Sequence, residues 1–585
     1  MKNICISERW MWILLVVGAI AGALMVGWQT MSEWEVLPQA EKQGVLSKLE
    51  AEDIATTFVQ RHFNLDTDSY NVVSILTFTP LPDVFLTRSF LSPEEQKAYY
   101  DAYLSSTNIY SIRFYKIEQI EEYTVSIDAF RGDIVSFSQV LPKDAVLHEY
   151  SYEDSAPIEA FAEEIDIMPI MPEESNFVEP SVEEAVATAQ AFVSEITGAP
   201  TSLLSLHGKD EVTLPGGVER KITLAWQGTE VDSEFGKGFV TFETTVRGNL
   251  VSSFNPSYEY PESYERSLEK STTLGSLVGF GSLLAWLFII IGSLVVMIKA
   301  FSAHNAKWKL SLGVTIFLAA LGVLDFVNQY PELMMWYSTV DSTTVYWIFS
   351  ILIAIVVTLV TSLMLFFPSV AGQTLASEKY QNRIAPLLTL PISLESKTAY
   401  RLALARGYLL GIFFLGFTFA LYWIGEEYLG VWYPHGADNI MIGIGGFIPA
   451  FSMMVTIGFM AAITEEVTFR LFGILWLSKI TKSTLVGVIV ATFVWAFAHT
   501  DGSVLPVWFR GAEVLIGGLL FACFFIRYNI LTTIVAHYVH NIIIAGIILW
   551  FTFGNNEWLS IILIFAAPAL MYLCFEIFVN YKRKA

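Results

Sequence analysis

The chain has 585 residues, 54% of them hydrophobic, and a mean hydropathy of +0.51, which is too apolar for a soluble enzyme of this length and marks a membrane protein. Met31 to Lys270 holds 42 of the 57 acidic and 16 of the 34 basic residues, a net charge of −26 that leaves +3 for every other position. An acidic, water-exposed region therefore accompanies a nearly neutral membrane region, and an acidic surface repels phosphate backbones, which argues against nucleic acid as a partner.

Trp10 to Trp28 is an uncharged apolar run behind Lys2 and Arg9, without a small-residue cleavage pattern after it, and reads as a signal anchor (residues 1–30) with a cytoplasmic N-terminus. The acidic region that follows contains one pattern twice, in residues 31–149 and 185–270. In the first copy a helix-like stretch with Phe58 and Val59 leads to strand-like alternation ending in Arg131-Gly132-Asp133-Ile134-Val135-Ser136-Phe137. The second has Phe192 and Val193 and ends in Arg247-Gly248-Asn249-Leu250-Val251-Ser252. Each ending predicts a turn between two strands, so the two units are read as α+β; the pattern is similar to the small helix-and-sheet PepSY-type domains found outside bacterial membranes. Residues 150–184 carry four prolines and no basic residue and read as a solvated linker. The three cysteines, Cys5, Cys523 and Cys574, all lie outside Met31 to Lys270, so the acidic region has no disulfide framework and the chain has no CxxC site.

Beyond residue 270, apolar runs begin near Leu274, Leu310, Val345, Tyr408, Phe451, Leu485, Val514, Leu531 and Trp558. With the anchor they predict about ten membrane spans, the Val514 run being short. Lys307 and Lys309, the group from Lys379 to Arg406, Lys479 and Lys482, Arg527, and Lys582 to Lys584 fall in alternate connections. By the excess of basic residues in cytoplasmic loops, both termini are cytoplasmic and the acidic region is extracytoplasmic, in a multi-pass protein of the cell membrane. Residues 271–407 read as an accessory group of helices and residues 408–585 as a second group.

Ionisable residues inside apolar runs are costly and point to function. Within the run from Phe451 to Leu477 stands Thr464-Glu465-Glu466-Val467-Thr468-Phe469-Arg470. Glu466 and Arg470, four apart, share a helix face and can pair, while Glu465 points about 100° away and stays free for another partner. The next run ends in Trp495-Ala496-Phe497-Ala498-His499, and a later one contains His537-Tyr538-Val539-His540-Asn541, where His537 and Asn541 lie one turn apart. Singly, these polar residues are as compatible with interfacial packing or interhelical hydrogen bonds as with catalysis. Counting from the basic loops, however, Glu465, His499 and His537 lie roughly 20, 25 and 15 Å up their helices, close enough in height to share one cavity. A carboxylate, two imidazoles and a carboxamide there can activate water and stabilise an oxyanion.

The order EExxxR, aromatic-xxx-His, HxxxN on separate spans resembles the CPBP family of intramembrane proteases, which groups CAAX prenyl proteases with bacteriocin-processing and Abi proteins. The resemblance covers roughly Tyr408 to Val579. It implies an intramembrane endopeptidase in which Glu465 activates water with His499 as its partner imidazole, His537 and Asn541 hold the oxyanion, and Glu466 with Arg470 supports them. Where the family's second motif opens with Phe, this chain has Trp495, which alters the shape of the cavity there. His540 falls outside the motif and reads as packing. Membrane-associated proteins or lipidated peptides are the implied substrates. The resemblance also raises zinc, with Glu465, His499 and His537 as ligands, but ligands on three separate helices lack the usual local spacing, and a Glu–His pair can activate water alone; the sequence reading favours no cofactor. A non-enzymatic immunity or scaffold protein and a proton-coupled transporter using Asp325 are the alternatives. A scaffold needs no water-activating pair that faces an oxyanion site, and a transporter should show repeated broken helices, at which only the Gly443 to Pro449 stretch hints. The extracytoplasmic region, with no clustered His or Cys, suits capture of a regulatory partner or substrate.

Overall fold

The computed structural model describes residues 8–36, 45–78, 85–86, 88–103, 108–141, 180–214, 217–379, 394–432, 445–500 and 503–584. The chain forms two compact units. One comprises Met1–Val45, Arg266–Leu333 and Trp347–Ala585, and the other Leu46–Glu265 with Met334–Tyr346. The first is a polytopic bundle of helices and the second an inserted α+β region.

In the helical unit the run read as an anchor is helix α1 (Glu8–Val36). Among the described residues nine helices are long and apolar enough to cross a membrane, and a further apolar helix, Thr484–Phe497, is shorter, at 14 residues. The run near Val514, expected to be short, is instead a full helix, Val507–Arg527, of 21 residues. Arg510 and Glu513 interrupt its apolar sequence, but they pair at 2.7 Å and bond Tyr422 and Thr418 of a neighbouring helix, which satisfies both charges inside the bundle and lets the helix begin earlier. Close crossings are made by small residues, as is usual for helices in lipid: at Gly416 a methyl group would lie 2.1 Å from the backbone of Gly22 in α1.

The sheet unit repeats one design. Helix α2 (Lys48–Phe63) opens on a capping box of Ser47 and Glu50 and buries Ala51, Ala55 and Val59. Its counterpart, Val182–Thr197, opens on Ser181 and Glu184 and buries Ala185, Ala189 and Val193 at identical spacing. In both, the reciprocal cap satisfies backbone donors at the helix start, and the i, i+4, i+8 stripe faces the sheet. The first helix is followed by β1 (Asn71–Phe78), β2 (Asn108–Tyr115), β3 (Glu122–Asp128) and β4 (Ile134–Val140). The second is followed by β5 (Leu204–Leu214), β6 (Gly217–Trp226), β7 (Val231–Ser233), β8 (Gly236–Arg247) and β9 (Leu250–Glu259). The two Arg-Gly turns are where the sequence placed them, between β3 and β4 and between β8 and β9. Gly132 and Gly248 take the positive φ values, 78° and 57°, that a tight turn imposes. The linker expected at 150–184 lies outside the described residues up to 179.

The strands of both copies join in one antiparallel sheet, ordered β1-β2-β3-β4-β9-β8-β6-β5, with β7 on β8. The seam between copies is narrow: β4 meets β9 only at Phe137↔Phe254 and Ser138↔Ser253. Aromatic packing compensates, with Phe137 against Phe58, Phe192 and Phe254. His62 of α2 stacks on Phe58 and reaches across the seam to donate from Nε2 to Val251 O at 2.7 Å. Burial among these rings pushes the His62 imidazole below its ordinary range, although the bond to Val251 acts in the opposite sense. Because the folded pKa is depressed, the stabilisation is complete above the unfolded value of about 6.5 and is lost as pH falls below it. Hydrogen exchange of β4 and β9, corrected for its intrinsic pH dependence, is expected to quicken between neutral and mildly acidic pH in the wild type. A His62→Gln variant that quickens equally would show that His62 is not the cause.

The segment Met334–Tyr346 belongs to this unit through side-chain grips. Arg113 of β2 pairs with Glu122 and donates to the carbonyls of Met334 and Met335 at 2.9 and 3.1 Å. Glu118 accepts from Ser342 Oγ and Thr343 N, and Tyr337 is buried.

Candidate active site

The six residues singled out by spacing lie on three helices of the helical unit: Pro449–Thr481, Thr484–Phe497 with the turn after it, and Ile530–Phe553. The first of these is not a uniform α-helix. Met454–Met460 and Glu466–Ile474 are π-helical, and between them Ala461–Glu465 is a short α-helical stretch. The 3.6-residue period assumed from the sequence therefore does not hold around the two glutamates. Such wide turns are rare and occur preferentially at functional sites. Ile457 lies in the first π segment, and its carbonyl accepts from Asn541 Nδ2 at 2.6 Å.

Glu465, His499 and His537 converge. Glu465 Oε2 stands 4.0 Å from His499 Nε2 and 3.9 Å from His537 Nε2. Behind them Glu466 lies 3.1 Å from both Arg470 Nη1 and His537 Nδ1. Exposure separates the two acidic residues. The Glu466 and Arg470 side chains are 0% and 1% exposed, whereas those of Glu465 and His499 are 17% and 31% exposed. Glu465 and His499 are thus open to a reactant, and Glu466 and Arg470 are sealed beneath them.

Hydrogen bonds fix how the imidazoles present themselves. His499 Nδ1 lies 2.8 Å from the carbonyl oxygen of Trp495. A carbonyl only accepts, so Nδ1 carries the hydrogen and Nε2, facing Glu465, is left with a lone pair in the neutral ring. Two acceptors 4.0 Å apart can each receive a hydrogen from one water about 2.8 Å from both, at an angle of about 90°. His537 Nδ1 likewise points its hydrogen at the Glu466 carboxylate. Asn541 is tied to the first π segment, through the bond from its Nδ2 to the Ile457 carbonyl. His540 Nδ1 is buried without a hydrogen-bond partner among the described residues.

Trp495 was noted in the sequence only for its ring, and its role here was missed. Its indole Nε1 donates to Glu465 Oε2 at 2.5 Å, and the Arg470 guanidinium lies 3.8 Å over its ring. Asp325, the residue offered for a proton path, accepts from Ser452 Oγ, which also takes hydrogens from Asn328 and Gln329. That cluster secures the start of the helix carrying Glu465.

Zinc does not fit this arrangement well. Ligands about 2.1 Å from a tetrahedral ion stand about 3.4 Å from one another, less than either separation from Glu465 Oε2, and that oxygen is already held by the indole. Among the described residues no three such side chains surround a common metal position.

Residues 447–543 match the family model described as type II CAAX prenyl endopeptidase Rce1-like. This segment is an Rce1-like domain. It holds all six residues of the site, and the match supports a membrane-protease-like function in a multi-pass membrane protein. The whole chain is similar to the sporulation-killing factor biosynthesis protein SkfC of Bacillus subtilis (strain 168), with 20% identity over 518 residues, 86% of this chain and 90% of the relative. The likeness to SkfC therefore extends beyond the Rce1-like domain, over most of the remaining chain. No solved structure matches.

Proposed function

We propose that the Rce1-like domain hydrolyses peptide bonds of membrane-associated proteins or peptides with a water held between Glu465 and His499. The observation that carries this reading is the 4.0 Å gap between Glu465 Oε2 and His499 Nε2, the span of one bridging water. Glu465 takes a proton as the water oxygen bonds to the scissile carbonyl carbon. The carbonyl electron pair moves to oxygen, where His537 Nε2–H and an amide hydrogen of Asn541 stabilise it. For His537 to donate there while Nδ1 faces Glu466, both nitrogens must carry hydrogen, and Glu466 stabilises that charged ring. Collapse expels the nitrogen, which leaves as an amine with the proton returned from the Glu465–His499 pair.

The similarity to a protein of sporulation-killing factor biosynthesis favours a role in making a specific product over general turnover. The loop charges favour cytoplasmic termini and an extracytoplasmic sheet unit that engages a substrate or regulatory partner. The reading is tested by comparing membrane-peptide termini between wild-type cells and a Glu465→Ala strain. Termini present only in the wild type are expected, and identical sets would overturn it.

The proposed chemistry uses no cofactor. Purified protein is accordingly expected to contain no stoichiometric zinc and to keep its activity after exhaustive chelation. One zinc per chain, absent from a His537→Ala variant, would reverse that assignment.

A further inference from the structure

We propose that Trp495 is the positioning residue that presents the Glu465 carboxylate to water through its indole N–H; the inference rests on the hydrolytic reading above. The oxygen it binds, Oε2, is the same one that faces His499 and His537. A glutamate side chain has three rotatable bonds, and the indole selects the rotamer that places Oε2 between the two imidazoles.

The indole is itself held by four neighbours. Arg470 covers its face at 3.8 Å, while His499 and His537 meet it edge to face with centroids 5.2 and 6.0 Å away. Gly518 makes room for it, since a methyl group there would lie 2.6 Å from the ring. The buried Arg470 therefore serves two partners, the Glu466 carboxylate and the Trp495 ring. Trp495 also fixes the other half of the dyad, because its main-chain carbonyl takes the Nδ1 hydrogen of His499. One residue thus orients both water-binding groups. Only the side-chain contact depends on its being tryptophan, because phenylalanine, though smaller, keeps an aromatic face toward Arg470 without offering a donor.

Trp495→Phe isolates that contact. With a peptide spanning a cleavage site found in the comparison of membrane termini, kcat is expected to fall about tenfold to a hundredfold, the range of one charge-assisted hydrogen bond. KM is expected to stay at its wild-type value, while folded yield falls modestly because the smaller ring leaves a void. Ultraviolet resonance Raman difference spectra of the full-length protein supply a readout free of turnover: Glu465→Ala is expected to shift the indole N–H band of one tryptophan toward weaker hydrogen bonding. Wild-type kcat in Trp495→Phe, a rise in KM alone, or a Glu465→Ala spectrum without the shift would each overturn the assignment. The spectral arm decides the matter if Trp495→Phe does not fold. Full cleavage by Glu465→Gln would sink the hydrolytic reading itself, and the role of Trp495 with it, even where the band shift shows the contact.

Discussion

Glu465→Gln is expected to lower kcat by roughly a thousandfold, within the range of about 10² to 10⁴ that a positioned acid or base contributes. The substitution keeps the side-chain volume, and the amide oxygen can still accept from the Trp495 indole, so the fold around it should persist. What is lost is the ability to take the proton of the bridging water. His499→Ala is expected to have a comparable effect, since it removes the second acceptor across the 4.0 Å gap. The two losses should not add, because both groups act on one water. The measurement is turnover of the same substrate by each single variant and by the double variant, with folded yield followed in detergent. Wild-type turnover by either single variant would end the proteolytic assignment, and a double variant much worse than both singles would show that the residues act on separate steps.

Arg470→Ala is expected to be the most destabilising single change in the site. Glu466 is fully enclosed and lies 3.1 Å from the guanidinium, and breaking a buried pair by removing one partner costs about 3 to 5 kcal/mol. Against a typical domain stability of about 5 to 15 kcal/mol, that is a large share, and the Trp495 ring loses its cover as well. Folded yield and thermal midpoint in detergent should both fall. The double variant Glu466→Gln/Arg470→Met should recover most of the stability, because no uncompensated charge is left inside. Its activity should stay low, since His537 Nδ1 has lost the carboxylate it faces. An Arg470→Ala protein as stable as wild type would show that the pair is solvated and unimportant.

Charge and hydropathy along the chain were enough to read the helical bundle, the acidic α+β insertion and the three polar clusters. Loop charges and helix rise also brought Glu465, His499 and His537 to similar depth, because in lipid the loops must sit at the two faces and length converts directly to height. Four features escaped that reading for physical reasons. The π turns around Glu465 depend on partners such as the Asn541 amide on Ile457, and no local periodicity encodes them. The early start of the Val507–Arg527 helix depends on Arg510 and Glu513 finding Tyr422 and Thr418, residues far away in sequence. The indole of Trp495 was read as shape alone, although its N–H is a chemical difference from phenylalanine that the sequence did display. The continuous sheet was hidden too, because a seam of two residue pairs leaves no pattern of its own.

The grip of Arg113 on Met334 and Met335 bears on the order in which the protein can be made. A ribosome delivers the strands up to Glu259 first, and the segment that completes their unit emerges only after Glu262–Ser302 and Lys309–Asn328 have been synthesised. At about 5 to 20 residues per second, the nascent sheet waits on the order of several seconds with Arg113 lacking two of its acceptors. The two carbonyls that Arg113 holds therefore become available only after both intervening helices have been synthesised, so this contact is made late whatever the sheet has already formed.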